Sequence, residues 1–177
     1  MPSQTHHIFF IDARVADYSS LIDGLPAESA WFVLDAAQDG ITQMQSILAD
    51  YSGLDSIQII SHGSSGALYL GSTTLNSTTL PGYADLLHVI GTSLSADGDL
   101  LLHGCNVAAG TSGASFVAEL AALTGADVAA SDDASGALAL GGDGVLEVST
   151  GSIEAVGVDV TGLGTVLVSY QPSLYNF

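Results

Sequence analysis

Two side chains in this sequence have types and positions suited to covalent chemistry, His62 and Cys105, each beside glycine after an apolar run. Ile59-Ile60-Ser61 leads into His62-Gly63, and Leu100-Leu101-Leu102-His103-Gly104 leads into Cys105-Asn106. A thiolate attacks a peptide carbonyl, and an imidazole carries the proton between thiol and leaving amine. Gly63 and Gly104 let the main chain approach a substrate closely, and the amides of Gly63 and Cys105 are natural donors to a developing oxyanion. A helix following Cys105 would favour its thiolate through the helix's amino end. Blander roles compete. Cys105 is the only cysteine, and a lone cysteine also serves as a small core residue or an intermolecular linker. A histidine after a strand also serves as a loop cap.

The elements that must position this pair follow from hydrophobic patterning. Residues 8–11, 31–34, 56–60 and 99–103 are short apolar runs that read as buried strands, and 127–130 reads as a fifth. Between them, Ile41, Met44, Ile47 and Leu48 recur at helical spacing, as do Tyr83, Leu86, Leu87, Ile90 and Leu94, and then Phe116, Leu120 and Leu123. Asp17 is placed to cap a short helix through Leu21 and Ile22. Strand alternating with helix predicts an α/β fold with a mostly parallel central sheet covered by helices. Open parallel sheets collect ligands and reacting groups beyond the carboxyl ends of their strands. His62 and Cys105 would share one cleft if their strands are neighbours, although 43 positions apart.

Residues 64–79 are rich in Gly, Ser and Thr around Ala67-Leu68-Tyr69-Leu70, and read as a surface hairpin beside the sheet's end. After Gly136 the pattern changes to short β-branched segments at 145–148, 156–160 and 166–168, either an added hairpin, a sheet edge, or the lead into another module. The expected division is a domain over 1–151 and a β-rich extension or linker over 152–177. Gly141-Gly142-Asp143-Gly144 lacks the tandem repetition of a calcium-binding β-roll.

Composition narrows the setting. One Lys or Arg stands against 19 Asp and Glu, a formal net charge of −18. That field repels phosphate backbones and anionic headgroups, which argues against nucleic acid as a partner. It suits a protein in high salt or millimolar divalent cations, or serves simply to keep a secreted protein soluble. The single cysteine excludes an intrachain disulfide and a thiolate-rich metal site. No run approaches a membrane span, and the amino end has no basic region or signal core. An extracellular setting, with the export signal elsewhere in a longer parent, is the expectation.

The blocks Ile59-Ile60-Ser61-His62-Gly63 and Leu100-Leu101-Leu102-His103-Gly104-Cys105-Asn106-Val107-Ala108 resemble those of the DUF4347 domain family. Phe10-Ile11-Asp12 with Asp17-Tyr18, Leu34-Asp35 before Asp39-Gly40, and Val128-Ala129-Ala130-Ser131-Asp132 match the same pattern, from about Ile8 to Gly151. The resemblance implies a place near the amino end of a very large bacterial surface or secreted protein, upstream of adhesive or calcium-binding repeats. A looser resemblance, in order and strand placement alone, is to the caspase-like cysteine peptidases. It implies a three-layer caspase-like fold with a short C-terminal β extension, in which His62 with Gly63 and Cys105 take the base and nucleophile roles.

Specificity is left open by the same resemblance. Relatives that cut after basic residues carry acidic groups two positions before the cysteine and just after the following strand. Here those places hold His103, a departure, and Asp132, which agrees. Arg14 stands where a caspase would hold an acidic substrate side chain, and a guanidinium grips a carboxylate through paired hydrogen bonds. Each has an ordinary alternative, a turn residue for Asp132 and an internal ion-pair partner for Arg14. Asp12, ending the first strand, would orient His62 or a substrate amide, or cap the next segment. His6 and His7 lack a third metal ligand and read as a frayed terminus, and His88 reads as a helix surface or packing residue.

The resulting expectation is a cysteine endopeptidase with a His62–Cys105 dyad, acting on its own parent polypeptide or a surface partner. The alternative is a non-catalytic surface-retention or assembly module of a large adhesin-like protein. No metal site is expected and no cofactor is required for the chemistry, with calcium as an activator or stabiliser and no insertion into a membrane.

Overall fold

In the computed structural model, the structure describes residues 4–16, 18–136, 141–161, 163 and 167. Six strands form the central sheet: β1 (His7–Asp12), β2 (Ser29–Leu34), β3 (Leu54–Ile60), β7 (Leu94–His103), β8 (Asp127–Ala130) and β9 (Val148–Ser149). Their order is β2-β1-β3-β7-β8-β9, parallel except for β9, which runs antiparallel to β8. A second, antiparallel sheet joins β4 (Gly63–Ser64), β5 (Ala67–Leu70) and β6 (Thr73–Asn76). The hairpin expected over 64–79 is therefore present and grows directly out of the His62 strand end.

Strand alternation splits the core into two layers. Ile8 and Phe10, Ile57 and Ile59, and Leu100 and Leu102 face one side. There they meet three helices, α2 (Gly40–Leu48), α3 (Ala84–Thr92) and α4 (Gly110–Thr124), through Ile41, Met44, Leu87, Ile90, Phe116 and Leu120. Phe9, Ile11 and Ile60 face the other side. They are covered by α1 (Ser19–Ile22) through Leu21 and by the late segment through Val158, Val160, Leu163 and Leu167. The result is a three-layer α/β arrangement with a mostly parallel sheet in the middle.

Several expectations are adjusted. The 31–34 run is an edge strand rather than a buried one, and Trp31 remains 43% exposed. Leu94 opens β7 instead of closing α3. Of the segment 145–148, only Val148 enters the sheet, as its edge. Residues 156–160 form no ladder strand. Buried side chains tether them instead: Gln58 Nε2 donates to the Val156 carbonyl at 2.9 Å, and the Val158 amide donates to Gln58 Oε1 at 2.9 Å. The expected Asp17 cap, and Val166 and Val168 of the last segment, lie outside the described residues. Among the described residues, no helix is long and apolar enough to cross a membrane.

Candidate active site

β3 and β7 are parallel neighbours, with Ile60 opposite His103, and the Ser61 amide donates to the His103 carbonyl at 3.1 Å. The two strands therefore end side by side, and the turns 61–63 and 104–106 lie on the same rim. Gly63 and Gly104 permit the approach. A Cβ on Gly63 would stand 2.7 Å from Val107 Cγ2, and one on Gly104 would stand 3.0 Å from the Ser61 carbonyl oxygen.

The two turns converge on one atom. The amides of Gly63 and Cys105 both donate to the carbonyl oxygen of Leu167, at 2.8 and 2.9 Å. The Leu167 amide donates to the Ser135 carbonyl at 2.9 Å. Ser135 also touches the sulfur: its amide donates to Cys105 Sγ at 3.2 Å, and the thiol faces its carbonyl at 3.4 Å. Cys105 is fully buried.

Burial pushes the Cys105 thiol above its usual range. Backbone hydrogen bonds at Ser135 and Leu167 oppose the rise, and the nearby charges of Asp133 and Asp143 add to it. The expected help from a following helix is absent. α4 begins only at Gly110, beyond the turn that carries Cys105, and a helix dipole acts only close to its own first turn.

His62 is nearly buried, with Nε2 3.2 Å from the carbonyl oxygen of Arg14. A carbonyl oxygen only accepts, so Nε2 is the donor in this contact. Arg14 is itself held by Asp12. Its Nε donates to Asp12 Oδ1 at 2.8 Å and its Nη2 to Asp12 Oδ2 at 3.0 Å, while Nη2 also reaches the Gly71 carbonyl at 2.7 Å. The amides of Arg14 and Gly71 donate to the same carboxylate. Burial alone would raise the pKa of Asp12, but the Arg14 guanidinium and these amides outweigh it and hold the carboxyl below its usual range. Asp12 and Arg14 are thus joined to each other, and meet His62 through the Arg14 main chain.

His103 points away from that rim. Fully buried, it faces Gln58 Oε1 with Nε2 at 2.9 Å, under Gly157, and burial pushes its pKa down to about 4. Asp132 is exposed past β8, its amide donating to Glu147 Oε1 at 3.2 Å. His7 lies in β1 with Nδ1 2.8 Å from Ser56 Oγ, so it is part of the sheet rather than frayed, and His88 is exposed on α3.

Among the described residues, two acidic groups gather ligand atoms within 4.8 Å, Asp99 with Asp127 and Glu154, and Asp132 with Asp133 and Glu147. Sequence reading did not single out Gln58, Ser135 or Leu167. Gln58 carried a usable signal, a polar side chain within the apolar run 57–60. Leu167 carried none, since its polar contacts are made by the main chain, and Ser135 meets the sulfur through its main chain while its hydroxyl donates to the Gly104 carbonyl at 3.3 Å.

A parallel α/β domain with a cysteine and a histidine on adjacent strand ends, and two amides aimed at one carbonyl, is the class of protein that fold and site define. The chain belongs to the family described as a domain of unknown function, DUF4347, which it matches over residues 8–170. No curated protein matches it. Among solved structures it has a weak likeness to caspase-1 from Spodoptera frugiperda, 17% identical, with a TM-score of 0.34 over 58% of this chain and 49% of that one. It thus spans about half of that caspase's length. A small-chain dehydrogenase is matched at 11% identity and a TM-score of 0.32, over 70% of this chain and 71% of that one.

Proposed function

We propose that this domain is a cysteine endopeptidase that processes the polypeptide carrying it. One observation carries the reading: the amides of Gly63 and Cys105, from two strand ends, donate to a single peptide carbonyl beside the only thiol in the chain. Oxyanion stabilisation needs such a pair, preorganised where charge develops. His62 takes the Cys105 proton, and the thiolate adds to the carbonyl carbon. The oxyanion rests on the two amides, and the C–N bond breaks as His62 returns the proton to the leaving amine. Water, deprotonated by His62, then hydrolyses the thioester and restores the thiol. The Asp12–Arg14 pair fixes the carbonyl that orients His62.

In this reading the chemistry uses the chain's own groups, and calcium acts as a stabiliser of a strongly acidic molecule. The setting is extracellular or at a bacterial surface, with the following repeats of the parent as partners. The second reading is a non-catalytic surface-retention or assembly module, favoured by the complete burial and raised pKa of Cys105.

Intact-mass analysis of the chain, with and without calcium, separates the two. Discrete fragments from the wild type, absent from Cys105→Ala and His62→Ala chains of equal thermal stability, are expected. Identical mass profiles for all three would overturn the peptidase in favour of the module.

A further inference from the structure

We infer that Leu167 is the residue on the acyl side of the bond to be cut, so that cleavage falls between Leu167 and Val168 and the site selects leucine. The inference rests on the peptidase reading and adds to it the bond and the side chain. A residue in that position must place its carbonyl oxygen in the donor pair, fix its own amide to the wall and bury its side chain in a matching pocket. Leu167 meets all three conditions. Its oxygen accepts from Gly63 and Cys105 at 2.8 and 2.9 Å, and its amide donates to Ser135 at 2.9 Å.

Its side chain is fully buried, in the apolar cluster that contains Phe9, Ile11, Val15, Leu21 and Ile60. Ser135 ties this segment to the nucleophile, since its amide meets the Cys105 sulfur while its carbonyl takes the Leu167 amide. Here one carbonyl engages two amides, from turns 42 positions apart.

The pocket chemistry decides specificity. A buried charge without a partner is costly, and among the described residues the buried apolar side chains that cluster with Leu167 are aliphatic and aromatic, together with the Cys105 thiol. The Arg14 guanidinium grips Asp12, and Asp132 is exposed beyond β8. In the reaction, Cys105 Sγ bonds to the Leu167 carbonyl carbon, the bond to the Val168 nitrogen breaks, and that nitrogen leaves as an amine with the proton from His62. Water then yields the Leu167 carboxylate and the free thiol.

The full chain and its Leu167→Met, Leu167→Asp and Cys105→Ala variants are incubated at neutral pH, with and without calcium, and the products are mapped by mass spectrometry. A product ending at Leu167 with a released 168–177 peptide is expected. Leu167→Met is cut at the same bond, Leu167→Asp is slower by on the order of 100-fold or more, and Cys105→Ala is uncut. Cys105-dependent cleavage at another bond overturns the Leu167 assignment and leaves the peptidase reading standing.

A second measurement holds even if Leu167→Asp fails to fold. In a Leu167→Gly chain, a peptidyl acyloxymethyl ketone ending in leucine labels Cys105 faster than those ending in arginine or aspartate. Equal rates, or a preference for either charged residue, overturn the leucine pocket. Neither cleavage nor labelling of Cys105 in any chain overturns both readings.

Discussion

At the scale of the residue, His103 shows how a chemically suggestive side chain is turned to structure. Enclosure costs the imidazolium its hydration, and burial lowers the pKa from 6.5 to about 4. Between those values the unfolded chain binds a proton that the folded chain refuses, so stability falls as pH drops through that window. From neutral pH to about 4.5, this one group should remove roughly 2–3 kcal/mol. Urea unfolding at both pH values checks it. A His103→Gln chain should lose much less over the same interval, and equal losses would assign the acid sensitivity to other groups. The depressed carboxyl of Asp12 acts lower, since its contribution is kept above the usual carboxylate range and disappears as pH falls through its folded pKa.

At the scale of the element, the helical layer depends on a close crossing between α3 and α4. A Cβ on Gly91 would lie 1.8 Å from the Thr124 carbonyl oxygen. Alanine is the better helix former by about 1 kcal/mol, yet the clash with main chain should win. Gly91→Ala is expected to destabilise the fold by about 1–3 kcal/mol, read from the urea midpoint at unchanged slope. A gain in stability would mean that the two helices can slide apart freely. On the opposite face the late segment is held by side chains: Gln58 binds the main chain at Val156 and Val158 while accepting from His103. For 156–160 sequence patterning left an added hairpin, a sheet edge or the lead into another module open, and the structure holds this segment through the one polar residue of β3 instead.

At the scale of the molecule, 19 carboxylates face one Lys or Arg, a formal net charge of −18 with histidine counted as neutral. Self-repulsion of that kind destabilises the compact state and is screened by salt. Raising NaCl from low to physiological ionic strength shortens the screening length from about 30 to about 8 Å. The melting temperature should rise, by roughly 2–4 °C for each kcal/mol recovered. Differential scanning calorimetry checks this, and an unchanged Tm would show that the carboxylates are too dispersed to matter. Calcium compared with NaCl at matched ionic strength separates specific stabilisation from screening.

Apolar runs of strand length alternating with helical periodicity were sufficient to read β1, β3, β7, β8 and the three long helices. Burial of a two-sided parallel sheet leaves such runs little choice of structure. The same pattern put His62 and Cys105 at strand ends, because each run stops at a glycine-bearing turn. Tertiary structure alone decided that those strands are neighbours, that Asp12 and Arg14 bind each other, and that Leu167 lies across the amides of Gly63 and Cys105. The physical reason is separation and chemical plainness. The Leu167 contacts span 104 and 62 positions and are made by amides and carbonyls that every residue has, so no side-chain type announces them.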